Sequence, residues 1–186
     1  MPSDSAVVLI TGAGKRIGAA LATFFHARGY AVALHYQHSK NEAEALRNQF
    51  NATRADSAFC VQADLCNTND CNGVVPAVIK RFGRLDVLIN NASSFYPTAI
   101  GETTDSDWDD LFDTNARAPF FLAQTAAPYL RERQGCIVNL LDIFAERPKP
   151  KHTVYCMAKA AQRMLTQSLA LELAPDVRVN GISPGA

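Results

Sequence analysis

Two side chains in the last third of the chain, Tyr155 and Lys159, are spaced for proton chemistry. Residues four apart on a helix lie on one face, one turn from each other. A free tyrosine has a pKa of about 10, and a nearby ammonium favours the phenolate and lowers that pKa. Asp142, thirteen positions before Tyr155, adds a carboxyl that can hold or pass on a proton. We therefore expect an acid–base centre, although a half-buried aromatic beside a solvated amine has the same spacing.

Length and composition limit the classes of protein to which this chain can belong. The chain has 186 residues, 48% hydrophobic and 19% charged, which is typical of one domain spanning residues 1–186. Its 18 basic and 18 acidic side chains cancel, so neither a nucleic-acid partner nor an anionic membrane partner is indicated. The first residues do not resemble a secretory signal, and the longest apolar stretches are far shorter than the ~20 residues that span a bilayer. We expect a cytoplasmic protein.

The cysteines favour the same compartment. Cys60, Cys66, Cys71, Cys136 and Cys156 are odd in number, and no pair has CxxC spacing. This pattern is typical of reduced thiols rather than of a zinc site or a disulfide framework. Cys156 is interpreted as a packed small hydrophobe, with a reactive thiol as the alternative.

Apolar segments and helical patterns alternate along the chain. The apolar segments are 7–10, 31–35, 58–62, 85–90, 136–140 and 177–182. The helical patterns are 16–28, 41–53, 68–81, 106–113 continuing into 116–131, and 155–174. Continuous apolar strands that alternate with helices predict right-handed βαβ units. The expected fold is α/β, a doubly wound parallel sheet of the Rossmann type with helices on both faces.

A glycine-rich turn, residues 11–18, follows the first predicted strand and opens the first predicted helix. Glycines allow the backbone to approach a pyrophosphate, and the helix N-terminus supplies unpaired N–H groups. We interpret the turn as a dinucleotide site, with a plain tight turn as the alternative. The sequence stops at residues 183–186, where a ligand-covering loop would begin, and we expect a C-terminal part to be missing.

The residues after the second strand favour NADPH over NAD. An acidic residue there would bind the adenosine ribose and select NAD. Instead, the strand is followed by His38, Ser39 and Lys40. Together with Lys15 and Arg16 of the turn, they suit a 2′-phosphate, because cations neutralise it and a hydroxyl donates to it. A solvated basic loop is the alternative interpretation.

Together, these features resemble the short-chain dehydrogenase/reductase family over essentially the whole chain. The matching positions are the glycine-rich turn, Asp64-Leu65, Asn90-Asn91-Ala92-Ser93, Asn115, Tyr155, Lys159 and Ser183-Pro184-Gly185. Three departures narrow the resemblance. Arg16 replaces the third glycine of the turn, Asp142 replaces the usual serine, and Ser93 replaces the glycine of Asn-Asn-Ala-Gly. This combination is similar to pteridine reductases and to the related bacterial dihydromonapterin or dihydrofolate reductases.

The resemblance implies a catalytic role for four residues. Tyr155 would donate the proton, and Lys159 would hold the nicotinamide ribose and lower the tyrosine pKa. Asn115 would hold a water in a proton relay through Lys159. Asp142 would sit beside Tyr155 and help protonate the pterin ring, with an N-cap or loop carboxylate as the alternative.

The resemblance also implies binding roles. Phe95 would stack on the pterin, with a loop anchor tucked into the core as the alternative, and Arg16 would reach both pyrophosphate and substrate. Substrate contacts would also come from Ser93, Asp142 and Tyr155. The implied cofactor contacts are Gly12, Lys15, Arg16, Ile17, His35, Tyr36, His38, Ser39, Asp64, Leu65, Asn91, Ala92, Ser93, Tyr155, Lys159, Pro184 and Gly185.

The leading hypothesis is an NADPH-dependent reductase of dihydrobiopterin, dihydromonapterin or dihydrofolate. A carbonyl or 3-oxoacyl-carrier-protein reductase is the alternative, although a serine would polarise a carbonyl better than Asp142 does. A non-catalytic dinucleotide-binding module is a further alternative. The resemblance implies a homotetramer built on helices 116–131 and 155–174. His26 is expected at a helix surface and His152 in a solvated loop.

Overall fold

The structure, a computed structural model, describes residues 5–184. Its strands are β1 (Val7–Ile10), β2 (Ala31–Tyr36), β3 (Ala58–Gln62), β4 (Val87–Asn90), β5 (Cys136–Leu140) and β6 (Arg178–Ile182). Its α-helices are α1 (Arg16–Ala27), α2 (Lys40–Thr53), α3 (Thr68–Phe82), α4 (Asp105–Phe112), α5 (Ala118–Arg131) and α6 (Thr153–Glu172). A π-helical turn, Asp113–Arg117, joins α4 to α5, and a 3-10 helix, Ile143–Ala145, follows β5. Gly185, predicted to contact the cofactor, lies outside the described residues.

The strands form one parallel sheet in the order β3-β2-β1-β4-β5-β6. Val8 of β1 lies opposite Val32 of β2 on one side and Val87 of β4 on the other. The order of the strands therefore reverses at β1. Sheets of this kind bind ligands in the crevice beyond the carboxyl ends of the strands at such a reversal. The predicted doubly wound α/β fold is confirmed.

Alternate residues of β1 enter two hydrophobic cores, one on each face of the sheet. Val7 and Leu9 belong to a core shared with α3, α5 and α6. Val8 and Ile10 belong to a core shared with α1 and α2. All four side chains are fully buried, which explains why the strand is an unbroken apolar run in the sequence. Packing on both faces fixes the end of β1 and hence the start of the turn that follows it.

The predicted element boundaries agree with the structure to within two residues. The largest differences are two residues, at the start of β4 (Val87 rather than residue 85), at the start of α5 (Ala118 rather than residue 116) and at the two ends of α6. Helix α6 begins at Thr153, so Tyr155 lies in its first turn. The long helical pattern before β5 is interrupted only by the π-helical turn, which contains Asn115.

The prediction that His26 lies at the helix surface is wrong. Its ring is buried, stacks on Phe50 with 4.3 Å between centroids, and lies 2.8 Å from Ser57 Oγ. Burial and the neighbouring Arg54 lower its pKa. Because the charged form is disfavoured, this histidine acts as a neutral core residue between α1 and α2.

The cysteines of the described residues are all free thiols. Cys156 is buried in α6, as expected of a packed small hydrophobe. Burial raises the pKa of Cys71 to about 11, which disfavours the reactive thiolate there.

Candidate active site

A groove of about 570 Å³ opens beyond the carboxyl ends of β1 and β4, at the reversal of the strand order. Most of the residues predicted to bind the cofactor line it: Gly12, Lys15, Arg16, Ile17, His35, His38, Ser39, Leu65, Asn91, Ala92 and Ser93. Asp64 lies instead in an adjoining cavity, which shares His38 with the groove. Tyr36 is buried and is absent from the groove lining, so its predicted cofactor contact is not supported by its position.

The glycine-rich turn fits its surroundings only because its glycines lack side chains. A Cβ on Gly18 would lie 2.2 Å from the carbonyl oxygen of Gly12, and one on Gly14 would lie 2.3 Å from Ser39 Oγ. Gly12 has a φ of 62°, which favours glycine. Arg16, at the position of the third glycine, also has a positive φ, 50°, at a cost of about 1–2 kcal/mol. A strained backbone conformation thus lies at the start of α1.

His35 ties the glycine-rich turn to the sheet. Its Nδ1 accepts a hydrogen bond from Gly12 N at 3.2 Å, and its Nε2 donates to the carbonyl oxygen of Ala63 at 3.2 Å. Burial lowers the pKa of His35 to about 4, with the Ala63 hydrogen bond opposing it. The ring is therefore neutral near pH 7, which is the form that can accept from Gly12. His35 therefore contributes to the groove mainly by holding the glycine-rich turn in place.

Asn91 closes the other side of the turn. Its Nδ2 donates to the carbonyl oxygens of Thr11 at 2.8 Å and Gly12 at 3.1 Å. Thr11 Oγ1 in turn accepts from the backbone N–H groups of Asn91 and Ala92, each at 2.9 Å. These bonds connect the ends of β1 and β4 and fix the floor of the groove.

The cationic end of the groove carries an ion pair. Lys15 Nζ lies 2.8 Å from Glu42 of α2, and both side chains are about half exposed, at 60% and 46%. Arg16, His38 and Ser39 line the same groove as Lys15. Lys40 is the first residue of α2 and does not line the groove. No carboxylate follows β2 before α2, as the sequence indicated.

Ser93 links the groove to Asn115. The Ser93 hydroxyl donates to Asn115 Oδ1 at 2.7 Å, and Asn115 Nδ2 donates to the carbonyl oxygens of Ser94 and Leu111 at 3.0 and 2.9 Å. The Asn115 side chain is completely buried within the π-helical turn. Its amide is therefore engaged with protein groups on both atoms, and its predicted water-holding role stays a prediction.

Tyr155 and Asp142 lie in direct contact. The tyrosine hydroxyl donates to Asp142 Oδ2 at 2.7 Å. Asp142 Oδ1 also accepts from Phe144 N at 3.0 Å and so caps the 3-10 helix, while its role in protonating a pterin ring stays a prediction. Burial, followed by the hydrogen bond to Asp142, raises the pKa of Tyr155. The expectation that Lys159 lowers that pKa is therefore wrong for this arrangement.

The hydrogen bonds of Lys159 explain the difference. Its Nζ donates to the carbonyl oxygen of Leu140 at 2.9 Å and to Gln162 Oε1 at 3.0 Å. It lies 5.9 Å from the Tyr155 ring centroid, so the ammonium faces the ring while its bonds go elsewhere. Burial lowers the pKa of Lys159 to about 8, with the Asp142 charge opposing the shift. Sequence reasoning missed Gln162, although its i+3 spacing from Lys159 places both on one helix face.

Phe95 and His152 form the edge of this centre. The Phe95 ring is 51% exposed and stacks on His152 with 4.8 Å between centroids. Its edge-to-face contact with Tyr155 also measures 4.8 Å between centroids. The prediction of a solvated His152 is wrong, because the ring is 7% exposed and its Nδ1 lies 2.8 Å from the carbonyl oxygen of Pro150. Phe95 thus offers one open aromatic surface beside the tyrosine.

The remaining predicted contact, Pro184, is exposed at the end of the described chain. Within residues 5–184, no helix has both the length and the hydropathy to cross a bilayer. The same residues contain no group of three or more His, Cys, Asp or Glu side chains placed to hold a metal ion.

Known proteins share this sequence pattern. The profile of the short chain dehydrogenase family matches residues 6–186. The chain is 42% identical to pteridine reductase 1 of Leishmania tarentolae over 218 residues, covering 96% of this chain and 75% of that protein. It is 36% identical to the 3-oxoacyl-(acyl-carrier-protein) reductase FabG of Staphylococcus aureus over 179 residues, covering 95% and 72%. It is 37% identical to an uncharacterised oxidoreductase of Methylorubrum extorquens over 183 residues, covering 98% and 73%.

Proposed function

Because the chain belongs to the short-chain dehydrogenase family, we propose that this oxidoreductase is an NADPH-dependent reductase of pterins. The observation that carries the proposal is the 2.7 Å hydrogen bond between Tyr155 and Asp142. Reduction of a C=N bond requires a proton at a ring nitrogen, and this pair supplies a hydroxyl and a carboxyl side by side. The 42% identity to a pteridine reductase supports the same substrate class.

The groove fits a dinucleotide, which the family implies. Its glycines leave space that a Cβ would fill, and α1 has no acidic residue in its first turn to repel a pyrophosphate. The bound cofactor would supply the hydride. Gly12 and the start of α1 would hold the pyrophosphate, and Asn91 to Ser93 would lie along the path to the nicotinamide.

The preference for NADPH rests on charge at the outer end of the groove. Lys15, Arg16, His38 and Ser39 are among the residues that line the groove. Two of these are permanent cations near neutral pH, and a serine hydroxyl can donate to a 2′-phosphate. An NAD-selecting carboxylate after β2 is absent from this stretch of the described chain.

The tyrosine centre, which we define as Asp142, Tyr155 and Lys159, would handle the proton. A raised pKa keeps Tyr155 protonated near pH 7, so the hydroxyl serves as a donor rather than as a phenolate. Asp142 accepts from that hydroxyl, and a proton shared between the two oxygens can be delivered from this pair. Lys159 would hold the nicotinamide ribose with a hydrogen that Leu140 and Gln162 leave available.

The substrate would lie on the exposed face of Phe95. A pterin is flat and aromatic, and an offset stack contributes about 0.5–1.5 kcal/mol beyond the burial of its area. Arg16 and Ser93 would contact its polar edge. The expected assembly is a homotetramer in the cytoplasm, built on α5 and α6, as proposed from the sequence.

The second candidate is a carbonyl reductase, which the 36% identity to a 3-oxoacyl-(acyl-carrier-protein) reductase favours. The two functions separate in one assay of the intact protein. NADPH oxidation is measured with dihydrobiopterin, dihydromonapterin and dihydrofolate, and in parallel with a 3-oxoacyl thioester and a simple ketone. Turnover of at least one pterin is expected. Inert pterins beside reactive carbonyl substrates would show that the pterin assignment is wrong.

Two Asp142 variants sharpen the result. Asp142→Asn keeps a side-chain oxygen to cap Phe144 N but removes the acid, and Asp142→Ser restores the usual family residue. Both should lower kcat for pterins by roughly 10²-fold or more, because a positioned acid contributes that much. Asp142→Ser should retain or gain carbonyl reduction. Equal losses on both substrate classes would contradict a pterin-specific proton role for Asp142.

A further inference from the structure

A chain of buried polar side chains runs from the sheet to Lys159. Asn90 Nδ2 donates to Asn139 Oδ1, Asn139 Nδ2 to Thr166 Oγ1, and Thr166 Oγ1 to the backbone oxygen of Gln162, each at 2.8 Å. Lys159 Nζ donates to the side-chain Oε1 of the same Gln162 at 3.0 Å. All five side chains are less than 9% exposed. The chain joins β4, β5 and α6 behind the tyrosine centre.

The position of Lys159 poses an electrostatic problem. An ammonium that is 2% exposed loses most of its hydration, which is costly unless other groups replace the water. Among the described residues, no carboxylate lies within ion-pair distance of Lys159, and its two acceptors are neutral carbonyl oxygens. The Leu140 oxygen belongs to the backbone of the strand. The second acceptor depends on one side chain, Gln162.

We propose that Gln162 is a positioning residue for Lys159: its Oε1 orients the buried ammonium, so that the remaining N–H is presented to a bound dinucleotide. Thr166 Oγ1 donates to the backbone oxygen of Gln162, one turn earlier on α6, and not to the side-chain oxygen that faces Lys159. The neutral amide supplies an acceptor without the charge of a carboxylate. A carboxylate would form an ion pair with the ammonium and hold it more tightly.

This inference rests on the proposed role of Lys159 in the reductase, but its first test does not. The titratable groups that face Lys159 within the described chain are the Asp142 carboxyl and the Tyr155 phenol. Asp142 favours the ammonium, whereas burial disfavours it and lowers the pKa to about 8. Loss of the Gln162 acceptor removes a further stabilising contact from the ammonium, and a carboxylate at that position adds one.

Two near-isosteric variants of Gln162 should therefore shift the pKa of Lys159 in opposite directions. Gln162→Met keeps the shape but removes the amide acceptor, and Gln162→Glu replaces the amide with a carboxylate. The Lys159 pKa is measured without substrate by NMR on protein with carbon-13-labelled lysine, and Lys159→Met identifies the signal. We expect the pKa to fall by about one unit in Gln162→Met and to rise by about one unit or more in Gln162→Glu.

Thr166→Val is the matched control. It breaks the buried polar chain on the other side of Gln162 and should cost stability without touching the Lys159 contacts. Its Lys159 pKa should equal that of the unmodified protein. An unchanged lysine pKa in both Gln162 variants, or an equal change in Thr166→Val, would overturn the proposal and leave Gln162 a core residue.

The second test uses the complete enzyme with its cofactor. The alkaline limb of the kcat/KM profile reports the free enzyme, so it should move to lower pH in Gln162→Met and to higher pH in Gln162→Glu. NADPH affinity, measured by fluorescence titration, should fall in Gln162→Met. If the Lys159 pKa shifts while the pH profile of kcat/KM and the NADPH affinity stay unchanged, the positioning role is overturned. Failure of pterin turnover alone would leave the NMR result intact and count only against the proposed substrate.

Discussion

The glycine-rich turn and the tyrosine centre lie at the same edge of the sheet but are built differently. The turn uses backbone atoms, and its shape depends on residues without side chains, such as Gly18. The tyrosine centre uses side chains that bond to one another, as Tyr155 does with Asp142. A site made from backbone can be recognised from local sequence, because its glycines mark the turn. A site made from paired side chains also depends on burial and on partners that are distant in sequence.

The strongest test of this contrast is Tyr155→Phe. The change removes the proposed proton donor and leaves the groove unchanged, so kcat should fall by roughly 10²–10⁴-fold while NADPH affinity persists. Steady-state kinetics and cofactor titration measure the two effects separately.

Tyr96 provides a matched control for this variant. Its hydroxyl also donates to a carboxylate, Asp110 Oδ2, at 2.9 Å, and burial followed by that hydrogen bond likewise raises its pKa. Tyr96→Phe removes the same kind of bond outside the tyrosine centre, at a cost of about 1 kcal/mol in the free energy of unfolding. A similar fall in kcat for both variants would show that Tyr155 acts through stability rather than through its proton.

Gly18→Ala tests the backbone side of the comparison. The added Cβ would lie 2.2 Å from the Gly12 oxygen and 2.7 Å from Asn91 Nδ2, so the turn must shift. We expect a loss of about 1–3 kcal/mol in the free energy of unfolding, together with weaker NADPH binding. Denaturant unfolding and cofactor titration measure both.

Gly73→Ala is the corresponding control. Gly73 lies within α3, and a Cβ there meets no atom within 4 Å. Alanine in a helix interior should stabilise the protein by about 0.5–1 kcal/mol and leave cofactor binding unchanged. Equal effects of the two substitutions would mean that the turn tolerates a side chain and is not shaped by its glycines.

The same contrast explains what could be predicted from the sequence. The strands and the glycine-rich turn follow from periodicity and from the spacing of glycines, both of which are visible in local sequence, and they were predicted closely. The Asp142–Tyr155 contact was also expected. The burial of His152 was not, because it depends on packing against Phe95, which is distant in sequence. The positive φ of Arg16 and the Gln162 contact were not predicted either, although Gln162 is only three residues from Lys159.

The prediction that the pKa of Tyr155 is lowered was wrong for a related reason. The i, i+4 spacing correctly placed Lys159 near the Tyr155 ring. It gave no information about which acceptors would form hydrogen bonds with the ammonium. Burial then raised the pKa of the tyrosine, and the lysine bonded to Leu140 and Gln162. Helical periodicity predicts proximity, whereas protonation follows from the dielectric surroundings and from the hydrogen bonds that burial makes obligatory.

The smallest expected effect concerns the ion pair between Lys15 and Glu42. Both side chains are exposed, so the pair is weak, but it competes with a 2′-phosphate for the Lys15 ammonium. Glu42→Gln should therefore tighten NADPH binding by roughly two- to fivefold at low salt and leave NADH binding unchanged. Glu44→Gln is the control. Glu44 pairs with Arg47, so this substitution removes the same charge from α2 without freeing Lys15. Equal gains for NADPH and NADH, or from both variants, would show that only the overall charge of α2 matters and that Lys15 does not recognise the 2′-phosphate.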